Sequence, residues 1–556
     1  MKTLHTTDYF VFLFYFLIVA LYGYWVYQKK KSLTADSKDY FLAEGSLTWW
    51  AIGASLIASN ISAEQFIGMS GSGFKMGLAI AAYEWMAAIT LIIVGIFFIP
   101  VYLKNKIYTM PQFLNQRYNS TVSIVMAIFW LLLYVIVNLT SILYLGALAV
   151  SSISGINFTV CIFALAIFAI IITLGGMKVI GFTDVIQVFF LILGGLATTY
   201  IALNLVADHF GLHGALSGLG LMYEKAPDHF QMIFGKDNEN YLDLPGLSVL
   251  IGGLWIVNLN YWGCNQYITQ RALGADLKTA RGGLLFAAGL KLLMPVIVVL
   301  PGIAAYILYK EGYFQQEMLQ DGSVNPDHAY PVLLNLLPTG LKGLSFAALT
   351  AAVVASLAGK ANSIATIFSL DVYKKIFNKE ASEKKLVNVG KTTIIVSMLL
   401  AIVISPYLGI DKKGGFQYIQ EYTGFVSPGI FAMFILGFFW KKATSSAAMF
   451  ATVGGFILSV IFKFLPNIMD LSFLASTGFS VKNAEGIYEI PFLDRMGFVF
   501  IICIMAMLVI SIIENNRGVK PKGLEVDTKM FRVHPGFAIG SLLVTGVVAA
   551  LYLLFW

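Results

Sequence analysis

The stretch that decides the reading is Ala54-Ser55-Leu56-Ile57-Ala58-Ser59-Asn60-Ile61-Ser62-Ala63-Glu64-Gln65-Phe66-Ile67-Gly68-Met69. It lies in an apolar run near 48–70 and is long enough to cross a bilayer, yet its middle is polar and its side chains are mostly small. Two readings fit. One is a broken helix, whose freed carbonyls can bind a cation and whose side chains can meet a solute. The other is a kinked helix packed through small residues.

The rest of the chain supplies the setting. Of 556 residues 58% are hydrophobic and 12% charged, about half the charge of an average soluble domain. Mean hydropathy is +0.78. The net charge of +7 could point to nucleic acid. The basic residues fall in short loops between apolar runs, however, which speaks for membrane orientation and against a nucleic-acid partner. Cys161, Cys264 and Cys503 each sit inside an apolar run, with no disulfide or metal-ligand spacing.

Apolar runs recur near 9–27, 48–70, 78–104, 121–152, 157–176, 184–205, 244–272, 280–309, 331–373, 386–410, 416–441, 444–466, 492–514 and 534–556. The reading is an all-α integral membrane protein of about 14 transmembrane helices in one membrane domain. Lys29, Lys30 and Lys31 place the first loop in the cytoplasm and the N-terminus outside. Alternation then puts Lys104, Lys106 and Arg117, Lys178, Arg271, Lys278 and Arg281, Lys374 and Lys375, Lys441 and Lys442, and Arg517 inside. Loops around Glu311, Glu317, Asp321 and Asp327 lie outside, and an even number of spans puts Trp556 outside too. Lys412 with Lys413 is the exception, partly offset by Asp411. The outer segments 206–243 and 467–491 are long enough for short helices or lids.

Several polar groups stand at membrane depth. Glu84, in Ala82-Tyr83-Glu84-Trp85, and Lys291, in Leu290-Lys291-Leu292, each cost about 2.5 kcal/mol or more unless paired or facing a cavity. A structural ion pair between them is one reading; both lining a polar cavity is the one preferred. Asn258, Tyr261 and Trp262 fall at i, i+3 and i+4 and share a helical face. An amide beside an aromatic platform suits a sugar, and Gln420 adds another amide. No zinc-binding HExxH, phosphate-cradling glycine loop or nucleophile elbow occurs, so binding and release fit better than bond chemistry, and the chain is not read as an enzyme.

These motifs resemble the solute:sodium symporter family and its bacterial sodium/galactose (sodium/glucose) branch. The resemblance rests on Asp39-Tyr40-Phe41-Leu42-Ala43 with Trp49-Trp50, Ser62 to Met69, and Thr183-Asp184-Val185-Ile186-Gln187. It continues through Asn265 to Arg271, Asn362 to Thr366, and Tyr418 to Gly424. It implies a leucine-transporter-like fold, with two five-helix inverted repeats around a central site. The repeats would span about 48–205 and 244–441, after an extra N-terminal helix at 9–27 and before additional C-terminal helices over 444–556.

The resemblance further implies sodium-coupled import of galactose or glucose across a bacterial inner membrane by alternating access. Sugar contacts match Asn60, Gln65, Glu84, Asn258, Lys291 and Gln420. Tyr261 matches an inner gate beside Trp262, and Met69, Tyr83 and Tyr134 an outer cap. Glu84 disfavours an anionic substrate. Sodium ligands match Ala58, Ile61, Ala352 and Ser356, and Asp184 the ion exit path. Two positions depart from the family: Ala355 stands where a hydroxyl is expected, and Lys360, one turn beyond Ser356, where the family is uncharged. A hard cation wants oxygen ligands, and Ala355 supplies none from its side chain. Lys360 either reaches toward the cytoplasm or Asp184, or puts its ammonium in the ion's place and makes transport sodium-independent, as a uniporter or with protons. Sodium coupling is taken as retained, water replacing the lost ligand. Ala87, where a sugar-facing serine is expected, leaves the sugar open. A sugar sensor or channel is the other class.

Overall fold

Long apolar runs must satisfy their backbone groups internally, and helices do so throughout this chain. A computed structural model describes residues 4–29, 47–175, 177–320, 322–408 and 414–556. The motif at 39–43, Lys30, Lys31, Asp321 and Asp411 to Lys413 lie outside the described residues, as does the Lys178 side chain. Among the described residues the only strands are two short antiparallel hairpins, Leu319–Gln320 with Ser323–Val324 and Val481–Lys482 with Tyr488–Glu489. The segments 206–243 and 467–491 carry a helix at Ala215–Lys225 and a hairpin at 481–489.

Ten helices among the described residues are long and apolar enough to span a bilayer, or up to twelve with two bent pairs. Those pairs are Leu247–Gly263 with Gln266–Leu273, bent 49°, and Gly415–Gly424 with Ser427–Phe439, bent 52°. Two places account for the difference from about fourteen. The run near 48–70 splits at Ile61, leaving Trp49–Asn60 with 12 residues, and its remainder continues into the 41-residue stretch Glu64–Lys104. The run near 157–176 forms Phe158–Thr173, only 16 residues. Within Glu64–Lys104 the backbone turns at Gly77, φ +71° and ψ −148°. A Cβ there would stand 2.2 Å from the His229 carbonyl oxygen, so only glycine fits.

The chain packs as two compact units. One comprises 1–84, 131–231 and 289–419 and the other 85–130, 232–288 and 420–556, so each draws on both of the segments read as repeats. At the centre of the first unit runs Leu341–Thr366, most of whose residues are buried. The N-terminal helix Thr6–Lys29 packs on it through Tyr15 and Val19 against Ala347 and Ala351. Asp8 accepts from the Gly340 and Gly343 amides at 2.7 and 3.0 Å, satisfying donors that a helix start leaves open. In the second unit Arg117 closes the end of Ser427–Phe439 by donating to the Gly437, Trp440 and Ala443 carbonyls at 2.8–3.0 Å. Cationic donors there complement the helix dipole.

Candidate functional site

The polar stretch is a broken helix. Trp49–Asn60 ends where Ile61 becomes extended, φ −81° and ψ 101°. In an unbroken helix the Ser62 amide would bond the Ala58 carbonyl. Here it donates to Gln65 Oε1 at 3.1 Å, while Ser62 Oγ accepts from the Glu64 amide at 3.1 Å. Ser62-x-x-Gln65 is thus a variant of the capping box, with the Ser62 hydroxyl capping the Glu64 amide rather than that of Gln65, and it restarts the helix. The new turn, Glu64–Met69, is wound as a π-helix, a geometry concentrated at functional sites.

The break frees the Ala58 carbonyl. Ser356 Oγ lies 3.3 Å from it and 3.5 Å from the Ser59 carbonyl. Ser59 Oγ donates to the Ser55 carbonyl at 2.6 Å, and Ser55 Oγ to Asp184 Oδ2 at 2.6 Å. Ala58, Ile61, Ala352, Ser356 and Asp184 are all buried. Ala352 lies one turn before Ser356 on the same helix face. Of the expected cation-site residues, the hydroxyl of Ser356 and the carbonyl of Ala58 are therefore brought together, and Asp184 is tied to the same helix through the Ser55 hydroxyl.

Next to the break stands a charged pair. Lys291 Nζ is 2.5 Å from Glu84 Oε2, both side chains are buried, and the same ammonium donates to Asn60 Oδ1. Three of the residues matched to sugar contacts thus form one cluster. The ion pair between Glu84 and Lys291, the less favoured of the two readings, is formed. Gln65 and Met69 are buried, the former with its carbonyl engaged by Ser62. The Tyr83 ring meets Phe416 edge to face at 5.0 Å.

Lys360 is buried as well. It donates to Asn138 Oδ1 at 3.2 Å, and its ammonium stands 5.0 Å over the Tyr134 ring. Glu64 Oε1 is buried with no hydrogen-bond partner among the described residues. The sequence alone did not single out Asn138. Asn138 falls four residues after Tyr134 inside Leu133–Leu139, a π-helical turn, and that spacing on one face was the available signal.

In the second unit the helix Gly253–Gly263 carries Asn258, Tyr261 and Trp262. Asn258 Nδ2 donates to the Leu254 carbonyl at 3.2 Å, leaving its Oδ1 to accept. Trp262 is buried and Tyr261 half-buried. Asn260 ties this helix to the break after Gly424, donating to Ser427 Oγ at 3.1 Å. Gln420 sits one turn before that break and is half-buried. Its neighbour Glu421 is held by Lys463 and Arg495 at 2.5 and 2.7 Å.

Comparison with known proteins adds four findings. The model of the sodium:solute symporter family matches residues 40–455. The chain is 46% identical to a sodium/glucose cotransporter of Vibrio parahaemolyticus, over 99% of this chain and 98% of that protein. It is 33% identical to the human sodium/myo-inositol cotransporter 2, over 83% of this chain and 70% of that one. A solved Na+-coupled sialic acid symporter, 22% identical, superposes with a TM-score of 0.74 over 94% of this chain and 100% of its own. At that identity the likeness bears on fold alone.

Proposed function

We propose that this chain, which belongs to the sodium:solute symporter family, imports a neutral monosaccharide of the glucose/galactose class, driven by sodium, by alternating access. The observation that carries the reading is the buried cluster of Glu84, Lys291 and Asn60. Its charges compensate each other, so it presents acceptor and donor positions to hydroxyls with little net attraction for an acid or a base. The 46% identical relative named for sodium/glucose cotransport supports the same substrate class.

Within this reading Gln65, Asn258 and Gln420 are further sugar contacts, Tyr261 with Trp262 an aromatic gate, and Met69, Tyr83 and Tyr134 a cap. Sodium takes the Ala58, Ile61 and Ala352 carbonyls and the Ser356 hydroxyl, oxygen donors of the hardness it prefers, with Asp184 on the exit path. Ion and sugar binding together favour the occluded state. The loop charges support an inner-membrane setting with both termini outside.

A second reading has two observations in its favour: the Ala355 side chain offers no oxygen, and Lys360 is buried a turn from Ser356. Its ammonium would then replace the ion and transport would be sodium-independent. Uptake of labelled galactose and glucose into proteoliposomes, with a sodium or a potassium gradient, separates the two. Accumulation above equilibrium in sodium alone is the expected result. Equal accumulation in potassium would refute symport, and absence of counterflow for any sugar would refute the substrate class.

A further inference from the structure

The half-helix Gly415–Gly424 begins against the restart of the broken helix. A Cβ on Gly68 would stand 2.8 Å from the Phe416 amide nitrogen, and one on Gly71 would stand 2.5 Å from Asp327 Oδ1. Gly68 and Gly71 are three residues apart and share a face. Lacking Cβ atoms, they let the start of the half-helix and the Asp327 side chain settle directly on that turn. The seating involves the residues read as a cap: Met69 follows Gly68, and the Phe416 ring meets Tyr83 edge to face at 5.0 Å. Asp327 joins the pieces. It is buried, and its Oδ2 accepts from the Gly415 amide at 2.8 Å, one of the donors that a helix start leaves open. A carboxylate also suits the positive end of a helix. The outer loop delivers Asp327 in a fixed position. The Asn325 amide donates to the Met318 carbonyl at 2.8 Å, Asn325 Oδ1 accepts from the Asp327 amide at 2.9 Å, and His328 Nδ1 donates to the Glu317 carbonyl at 2.8 Å.

We propose that Asp327 is a positioning residue for transport: it latches the start of Gly415–Gly424 onto the turn that carries Gln65 and Met69, and so holds the outer cap closed over the sugar. The proposal rests on the sugar-site reading above and names the group that keeps that site shut. Asp327 acts through the Gly415 backbone and touches neither sugar nor ion. The loop charges put it on the outer side, so the latch governs entry from outside. The half-helix ends in the 52° bend after Gly424, a natural pivot once its start is free. A hydrogen bond to a charged group biases an equilibrium by about tenfold to a hundredfold. Losing it shifts the cap toward the open form by that factor.

The experiment reads the cap directly. Met69→Cys places a thiol in the covered turn of the full-length protein, where Cys161, Cys264 and Cys503 are buried. Its labelling by a membrane-impermeant maleimide is followed in proteoliposomes without sugar, beside a parent that lacks the reporter. Adding Asp327→Ala is expected to speed labelling at least about tenfold. Asp327→Asn keeps an acceptor for the Gly415 amide and is expected to label closer to the reporter protein than to Asp327→Ala. A residue of purely structural use would lower the melting midpoint without this rescue or this change in access. Should Asp327→Ala fail to fold, Gly71→Ala crowds the carboxylate from the opposite side and is expected to speed labelling as well. Labelling at the reporter's own rate in Asp327→Ala and Gly71→Ala would overturn the latch, and so would equal labelling of Asp327→Asn and Asp327→Ala. Failure of the underlying reading looks different: galactose and glucose then leave the reporter's labelling unchanged. Faster labelling in Asp327→Ala still upholds the latch in that case.

Discussion

Replacing Lys291 by Met removes one charge from a pair whose side chains are 1% and 4% exposed, with 2.5 Å between nitrogen and oxygen. The variant leaves the Glu84 carboxylate without its cation at membrane depth and Asn60 Oδ1 without its donor. Breaking a buried pair from one side costs about 3–5 kcal/mol, a large share of the roughly 5–15 kcal/mol that holds a folded domain. Adding Glu84→Gln removes the stranded charge, and a neutral pair of similar volume is close to isoenergetic with the ion pair. Thermal unfolding of the four proteins in detergent therefore gives a cycle whose coupling energy is at least about 3–5 kcal/mol, the cost of the lysine variant that the second substitution relieves. Sugar binding is measured on the same samples by equilibrium dialysis with labelled galactose. Stability is expected to return in the double variant while sugar binding stays lost, because the two groups differ from mere fillers only in what they offer a hydroxyl. Full stability of Lys291→Met alone would refute the energetic argument. Recovery of sugar binding along with stability in the double variant would show the pair to be structural only, and would remove these residues from the sugar site.

Two further outcomes follow from the broken helix. Gln65→Ala opens the capping box and is expected to cost about 1 kcal/mol of stability as well as sugar affinity. Gln65→Glu keeps an acceptor for the Ser62 amide and should restore the unfolding midpoint without restoring galactose binding, as read by parallel melts and dialysis. Ala355→Ser returns an oxygen donor beside Ser356, and a hydrogen-bond-strength contact to a charge is worth about 1.5–3 kcal/mol. The half-saturating sodium concentration for uptake should accordingly fall at least tenfold, and an unchanged value would mean that the 355 side chain does not reach the ion.

Much of this was legible from residue type and spacing. A run that is apolar at both ends and polar through Ser59, Asn60 and Ser62 announces a break. Glu84 and Lys291, alone at membrane depth, announce a need for partners. The choice of partner was less legible: that Lys291 also takes Asn60 depends on three segments far apart in the chain meeting, and no local pattern encodes that. Asn138 offered only its four-residue spacing from Tyr134 as a signal, and the meaning of that amide appears once Lys360 is placed opposite. The number of spans was legible as apolar runs but not as helix lengths. A run that divides at Ile61 or stops at 16 residues still contributes hydropathy, whereas its helices fall short of the length that identifies a span. Ser62-x-x-Gln65 was on the page as a capping signature, although such boxes are sought at helix starts in water rather than mid-membrane.

The position of that capping box explains how a polar break can persist where water is scarce. A helix interrupted in hydrocarbon exposes amides on one side and carbonyls on the other, and each unsatisfied group costs several kcal/mol. The amide side is closed by side chains of the break itself, Ser62 and Gln65, at 3.1 Å. On the carbonyl side the Ser356 hydroxyl stands 3.3 Å from one oxygen and 3.5 Å from another, beyond the usual range for hydroxyl donors. The two sides therefore differ in what they can exchange. Displacing the capping box would unravel the restart of the helix, whereas displacing one long hydroxyl contact leaves the backbone where it is. Carbonyl oxygens held in place by a rigid amide side, and covered by a weak and rotatable donor, can trade that donor for a cation at little cost. The amide side thus fixes the geometry of the break, and the carbonyl side holds the oxygens proposed above as sodium ligands.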